Sequence, residues 1–139
     1  MAVILNRKRL LPVFVVLFFI TGNVFCNFNF GDSQTGSKTY VINLSESKNA
    51  ALININGYIQ LDDETILIRT SQIQFIAVQN ICTYSKCTLE IQGNKLICPC
   101  HGCEYEFNGK VTQGPAKNNL TTYKTTYDPD KGTVTVTIP

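Results

Sequence analysis

Five of the chain's six cysteines, Cys82, Cys87, Cys98, Cys100 and Cys103, fall within 22 residues, and the only histidine, His101, stands among them. Thiolate is a soft, charged donor, so a set of this kind suits a transition metal or an iron–sulfur group. Clustered cysteines also suit a disulfide framework in an oxidising compartment. A tetrahedral zinc site drawn from Cys82, Cys87, Cys98, Cys100 and His101 is a third use. It is disfavoured because Cys98-Pro99-Cys100 is an awkward chelate and export works against free thiols. The disulfide framework explains how many cysteines there are but not their order. It leaves unexplained a histidine directly after Cys-Pro-Cys and the Gly114-Pro115-Ala116 segment downstream.

The segments around these residues read as short strands. Thr88 to Ile91 and Lys95 to Ile97 flank a Gly93-Asn94 turn, and Tyr105 to Val111 passes through Asn108-Gly109, a strong hairpin signal. Both hairpins adjoin the cysteines. Upstream, Tyr40 to Leu44, Ala51 to Leu61, Thr65 to Thr70 and Ile73 to Val78 are β-branched runs separated by polar breaks. Downstream, Thr121 to Tyr127 and Val134 to Ile138 flank a turn at Asp128 to Gly132. Nearly everything after residue 38 is predicted to be antiparallel β, in a small sandwich or stacked sheets.

A chain of 139 residues accommodates one domain and a targeting segment. With 44% hydrophobic and 16% charged residues it is globular rather than disordered. The net charge is +2, and four of the twelve basic residues are Arg7, Lys8, Arg9 and Lys38, so no basic face for nucleic acid stands out. Asn6 to Arg9 precedes an apolar run from Leu10 to Ile20, the charged and apolar regions of an export signal. That run is shorter than the roughly 20 residues a spanning helix needs. Residues 1–26 are therefore expected to be an export signal or a membrane or lipid anchor, 27–38 a linker and 39–139 the folded domain. Cys26 is the candidate lipid anchor, although Phe25 is larger than the residue that usually precedes such a cysteine. The domain is expected outside the cytoplasm, either secreted or membrane-associated through its N-terminus. Asn43-Leu44-Ser45 and Asn119-Leu120-Thr121 are glycosylation sequons that matter only on a eukaryotic secretory route.

The two boxes, Cys82-Thr83-Tyr84-Ser85-Lys86-Cys87 and Cys98-Pro99-Cys100-His101-Gly102-Cys103-Glu104-Tyr105, with Asn108-Gly109 and Gly114-Pro115-Ala116 following in order, resemble the Rieske family. Its boxes read C-T-H-x-G-C and C-P-C-H-G-S-x-Y, followed by a glycine turn and a G-P-A segment. The resemblance implies an all-β fold of stacked antiparallel sheets with two hairpin loops that bind a [2Fe–2S] cluster. It implies Cys82 and Cys98 as ligands of one iron, His101 as a ligand of the other, and a Cys87–Cys100 disulfide tying the loops together. The Tyr105 hydroxyl would hydrogen-bond a ligand sulfur, while Gly102 completes the second box and Gly114 and Pro115 lie in a loop that covers the cluster.

The chain departs from the family at three positions. Tyr84 stands where the first histidine is expected, Lys86 replaces a glycine, and Cys103 replaces a serine. Three outcomes are open. Tyr84 ligates the outer iron as phenolate and lowers the potential; Cys103 supplies the fourth ligand; or no cluster binds and a disulfide-stapled domain remains as a structural or interaction module. The resemblance implies a one-electron carrier serving a redox partner protein, with quinone a candidate through His101, rather than a stand-alone enzyme. A domain feeding a separate oxygenase is a weaker fit, because such proteins usually lack the disulfide pair and an export signal.

Overall fold

The computed structural model describes residues 36–139. The export-signal segment, Cys26 and residues 27–35 of the expected linker lie outside the described residues. The elements, in chain order, are β1 (Lys38–Asn43), a 3-10 helix (Ser47–Ile53), β2 (Tyr58–Asp62), β3 (Thr65–Arg69), β4 (Phe75–Gln79), β5 (Glu90–Gln92), β6 (Lys95–Ile97), β7 (Glu104–Glu106), β8 (Val111–Gln113), β9 (Thr122–Asp128) and β10 (Thr133–Ile138). They form an antiparallel six-stranded sheet in the order β1-β10-β9-β4-β3-β2 and a four-stranded sheet in the order β5-β6-β7-β8. The all-β expectation holds. Among the described residues no helix is long and apolar enough to cross a membrane.

The pattern of β3 explains how the two sheets share one fold. A strand exposed on one face alternates apolar and polar residues, whereas one covered on both faces is apolar throughout. Thr65, Ile66, Leu67 and Ile68 are all buried. Leu67 joins a core with Ile42, Leu52, Phe75, Ala77, Val134 and Val136 inside the six-stranded sheet. Ile66 and Ile68 point the other way, into a second core with Val78, Leu89, Leu96, Tyr105, Phe107 and Leu120. That second core also contains Cys82, Cys98 and Cys103. The outer face of β3 and β4 is thus the floor on which the small sheet and its sulfur atoms rest. Each such buried aliphatic side chain contributes roughly 1.5–3 kcal/mol.

Polar contacts join the two edges of the larger sheet. The Tyr40 hydroxyl on β1 donates to Asp62 Oδ2 on β2 at 2.6 Å, and Lys38 Nζ reaches the same oxygen at 3.2 Å. Burial alone would raise the Asp62 carboxyl, but hydrogen bonds from Tyr40, Thr65, the Glu64 amide and Lys38 take it from 3.8 down to about 2.

The run Ala51 to Leu61 is not one strand. Its first part belongs to the 3-10 helix, and only Tyr58–Asp62 pairs in the sheet. Two features break it. Asn56 adopts a left-handed backbone (φ 65°), and at Gly57 a Cβ would stand 1.7 Å from the Ala51 carbonyl oxygen. The Arg69 guanidinium, distant in sequence, donates to the Leu52 and Ile53 carbonyls at 3.0 and 3.1 Å.

Candidate functional site

Residues 82–87 and 98–103 form two loops with the same backbone plan. The first is closed at its base by the Ile81–Thr88 bridge, the second by the pairing of Ile97 with Glu104. In the first loop the Cys82 amide donates to the Cys87 carbonyl at 2.8 Å and the Lys86 amide to the Cys82 carbonyl at 3.0 Å. In the second loop the Cys98 amide donates to the Cys103 carbonyl at 2.8 Å and the Gly102 amide to the Cys98 carbonyl at 2.9 Å. The fifth residue of each loop is left-handed, with φ 60° at Lys86 and 67° at Gly102. Glycine takes that conformation freely, whereas lysine pays a steric cost of roughly 1–2 kcal/mol.

A disulfide joins Cys87 to Cys100 across the loops, with Cα atoms 6.5 Å apart. Cys82, Cys98 and Cys103 are free and buried. Each of the first two sulfurs has a hydroxyl beside it: Tyr105 Oη lies 3.4 Å from Cys82 Sγ, and Ser85 Oγ lies 3.1 Å from Cys98 Sγ. Burial would raise the Cys82 thiol, yet the Ser85 and Tyr105 hydroxyls and the Ser85 and Tyr84 amides bring it down to about 6. Tyr105, fully buried, is pushed up to about 12 by desolvation and by its bond to Cys82. Its hydroxyl also accepts from the Thr83 amide at 3.3 Å and meets Thr83 Oγ1 at 3.0 Å.

The segment that begins at Gly114 closes over this group from one side. A Cβ at Gly114 would stand 2.7 Å from Cys103 Cα and 3.1 Å from its sulfur, so the backbone passes directly over Cys103. Pro115 is exposed and Ala116 buried. Burial raises the Cys103 thiol, the Ala116 amide lowers it, and Cys82 and Cys98 raise it again. The Thr83 hydroxyl donates to the Asn118 carbonyl at 2.9 Å and ties the first loop to the cover.

At the exposed part of the two loops, the Tyr84 and His101 rings meet edge to face, with centroids 5.4 Å apart. Both residues are exposed. The arrangement thus offers three buried thiols, those of Cys82, Cys98 and Cys103, and an imidazole and a phenol side by side at the rim. Buried thiols beside an exposed imidazole are the donor types that a Rieske-type [2Fe–2S] cluster takes. Three sulfurs, those of Cys87, Cys98 and Cys100, also lie within 4.8 Å of one another, but the bond between two of them leaves no metal cage there.

Comparison with known proteins bears on this geometry. Residues 39–124 match the Rieske [2Fe-2S] domain. The chain belongs to the Rieske family. The match spans both loops, the Tyr105 strand and the cover, and Rieske membership implies a [2Fe–2S] cluster. The chain is 31% identical over 101 residues to the cytochrome b6-f complex iron-sulfur subunit of Nostoc punctiforme, an alignment covering 70% of this chain and 56% of that protein. The corresponding subunit of Synechococcus elongatus is 39% identical over 72 residues, covering 49% of this chain and 40% of that protein. This Rieske chain spans about half the length of the curated relatives it matches, or less. The crystal structure of the cyanobacterial plasma membrane Rieske protein PetC3 from Synechocystis PCC 6803 superposes with a TM-score of 0.49 at 29% identity, covering 57% of this chain and 82% of that one.

Ser85 and Asn118 are not among the site residues that the sequence indicates. Ser85 carries no signal beyond its place inside the first box. Asn118 contributes only its backbone carbonyl, which no side-chain pattern reveals.

Proposed function

We propose that the chain is a one-electron carrier in which Cys82 and Cys98 hold one iron of a [2Fe–2S] cluster while His101 and Tyr84 hold the other. The observation that carries the ligand assignment is the edge-to-face contact of Tyr84 with His101 at the exposed part of the loops. Cys103 is the poorer fourth donor, since it is buried beneath the Gly114 backbone. When bound, the cluster supplies a ferric/ferrous couple that takes up and releases one electron.

The surrounding residues tune and protect that couple. Hydroxyl groups of Tyr105 and Ser85 draw charge from the two ligand sulfurs and favour the reduced state. The phenolate of Tyr84 adds a negative charge where the family has neutral imidazole, and so favours the oxidised state. The Cys87–Cys100 disulfide holds the loops together, and the segment from Gly114 through Ala116 keeps solvent from the buried side. The net potential falls below the range of two-histidine centres, which suits an auxiliary carrier better than a quinol-oxidising subunit.

The carrier is proposed to work outside the cytoplasm at a membrane, with residues 1–26 as the export signal or anchor, the linker from residue 27 ending where β1 begins at Lys38, and a redox partner protein docking at the exposed His101 and Tyr84. Support comes from the apolar segment with its basic flank, and, for the partner, from relatives named as subunits of the cytochrome b6-f complex. Quinone is a second candidate partner through the exposed His101. Visible absorption and low-temperature EPR on protein prepared with iron and sulfide test the reading. A Rieske-type signal with a potential below the two-histidine range is expected. A colourless, EPR-silent protein with an intact Cys87–Cys100 bond would instead favour a cofactor-less structural or interaction domain. A potential within the two-histidine range would remove Tyr84 from the ligand set.

A further inference from the structure

The sulfur atoms of Cys87, Cys98 and Cys100 lie within 4.8 Å of one another. Two are oxidised and one is free, so the trio is a thiol set against a disulfide. Ser85 lies beside both the free thiol and one end of the disulfide: its hydroxyl is 3.1 Å from Cys98 Sγ, and its carbonyl is 3.8 Å from Cys87 Sγ. Thiol–disulfide exchange requires a thiol next to a disulfide sulfur and an accessible leaving group. Here the outer sulfur belongs to Cys100, which is exposed, whereas Cys87 is half-buried and Cys98 buried.

We infer that Cys100 is a latent surface thiol, released when no cluster is bound by attack of Cys98 on the Cys87–Cys100 disulfide. The inference rests on the reading of Cys98 as an iron ligand, because coordination is what would otherwise occupy its sulfur. In the exchange the Cys98–Cys87 bond forms and the Cys87–Cys100 bond breaks. The proton leaving Cys98 is balanced by one taken up at Cys100, so no external oxidant or reductant is consumed. Attack at the other end would close a bond between Cys98 and Cys100, two residues apart across Pro99, and would release the less accessible Cys87. Attack at Cys87 is therefore the productive direction. The freed Cys100 is then a modification site for low-molecular-weight disulfides and electrophiles, and the chain marks loss of its cofactor with an exposed thiol.

The test uses the full chain, purified without reductant and free of cluster, labelled briefly with N-ethylmaleimide, quenched in acid and mapped unreduced. Lys86 and Lys95 place Cys87 on a different tryptic peptide from Cys98 and Cys100, and fragmentation at Pro99 separates those two. Cluster-free protein is expected to carry a Cys87–Cys98 link with label on Cys100. A Cys82→Ser chain, which lacks one proposed iron ligand but keeps all three sulfurs, should behave in the same way. Label on Cys100 should fall at least ten-fold in Cys98→Ser and in cluster-loaded protein. Finding only the Cys87–Cys100 link with Cys100 unlabelled in cluster-free protein overturns the inference. So does a link through Cys82 or Cys103. Because the decisive sample contains no cluster, this result is separable from the absorption and EPR test of the carrier.

Discussion

The two sulfur loops share a backbone plan but differ in the residues that fill it. Both close with a hydrogen bond from the first cysteine's amide, and both turn through a left-handed fifth residue. The second loop has glycine at that turn and carries Cys-Pro-Cys-His-Gly. The first places Lys86 there and Tyr84 at the rim. The hydrogen bonds and the disulfide hold the first loop in shape despite its unfavourable residue. Backbone geometry is thus kept where donor chemistry has changed: Tyr84 departs from the family at the exposed end of the first loop, and the buried Cys103 departs from it at the close of the second.

The largest effect expected from making the loops alike comes from Tyr84→His. Restoring a neutral second imidazole should raise the reduction potential by on the order of 100 mV or more, measured by EPR-monitored redox titration. An unchanged potential would break the claim that the loops differ in ligand chemistry. Tyr105→Phe acts on the sulfur side instead. Losing a hydrogen bond of about 1 kcal/mol to Cys82 should lower the potential by about 40 mV, and the same titration reads it.

The turn residues test the backbone half of the comparison. Lys86→Gly should raise stability by about 1 kcal/mol by relieving the left-handed conformation, whereas Gly102→Ala should cost a similar amount. Denaturant midpoints at unchanged slope would show both. A control lies far from either loop and should leave the reduction potential unmoved. Because Asp62 has a depressed carboxyl, its contribution is complete above the unfolded value near 3.8 and is lost as pH falls through about 2. Tyr40→Phe should cost about 1 kcal/mol at neutral pH and flatten the stability loss between pH 4 and 2, seen in denaturation series across that range.

Much of the fold and of the site is legible in the residues themselves. The alternation of Val134 and Val136 is the inner face of β10, and Asn108-Gly109 is the turn between β7 and β8, where Gly109 has φ 82°. The cysteine order carries the family. What stays hidden in the sequence depends on distant partners. The β-branched run from Ala51 looks like strand because its turn is set by Gly57 packed on Ala51 and by Arg69 gripping the Leu52 and Ile53 carbonyls. Likewise, the box pattern names Tyr84 but not its neighbour. Only the folded loops bring its ring against His101, and only they show Ser85 between Cys98 and the disulfide.

The most direct test of the central claim is the resonance Raman spectrum of the oxidised, cluster-loaded chain, excited in its visible band. Coordination by Tyr84 predicts phenolate ring modes beside the iron–sulfur modes, shifting when tyrosine is ring-deuterated and disappearing in Tyr84→Phe. Iron–sulfur modes with no tyrosine contribution would contradict it.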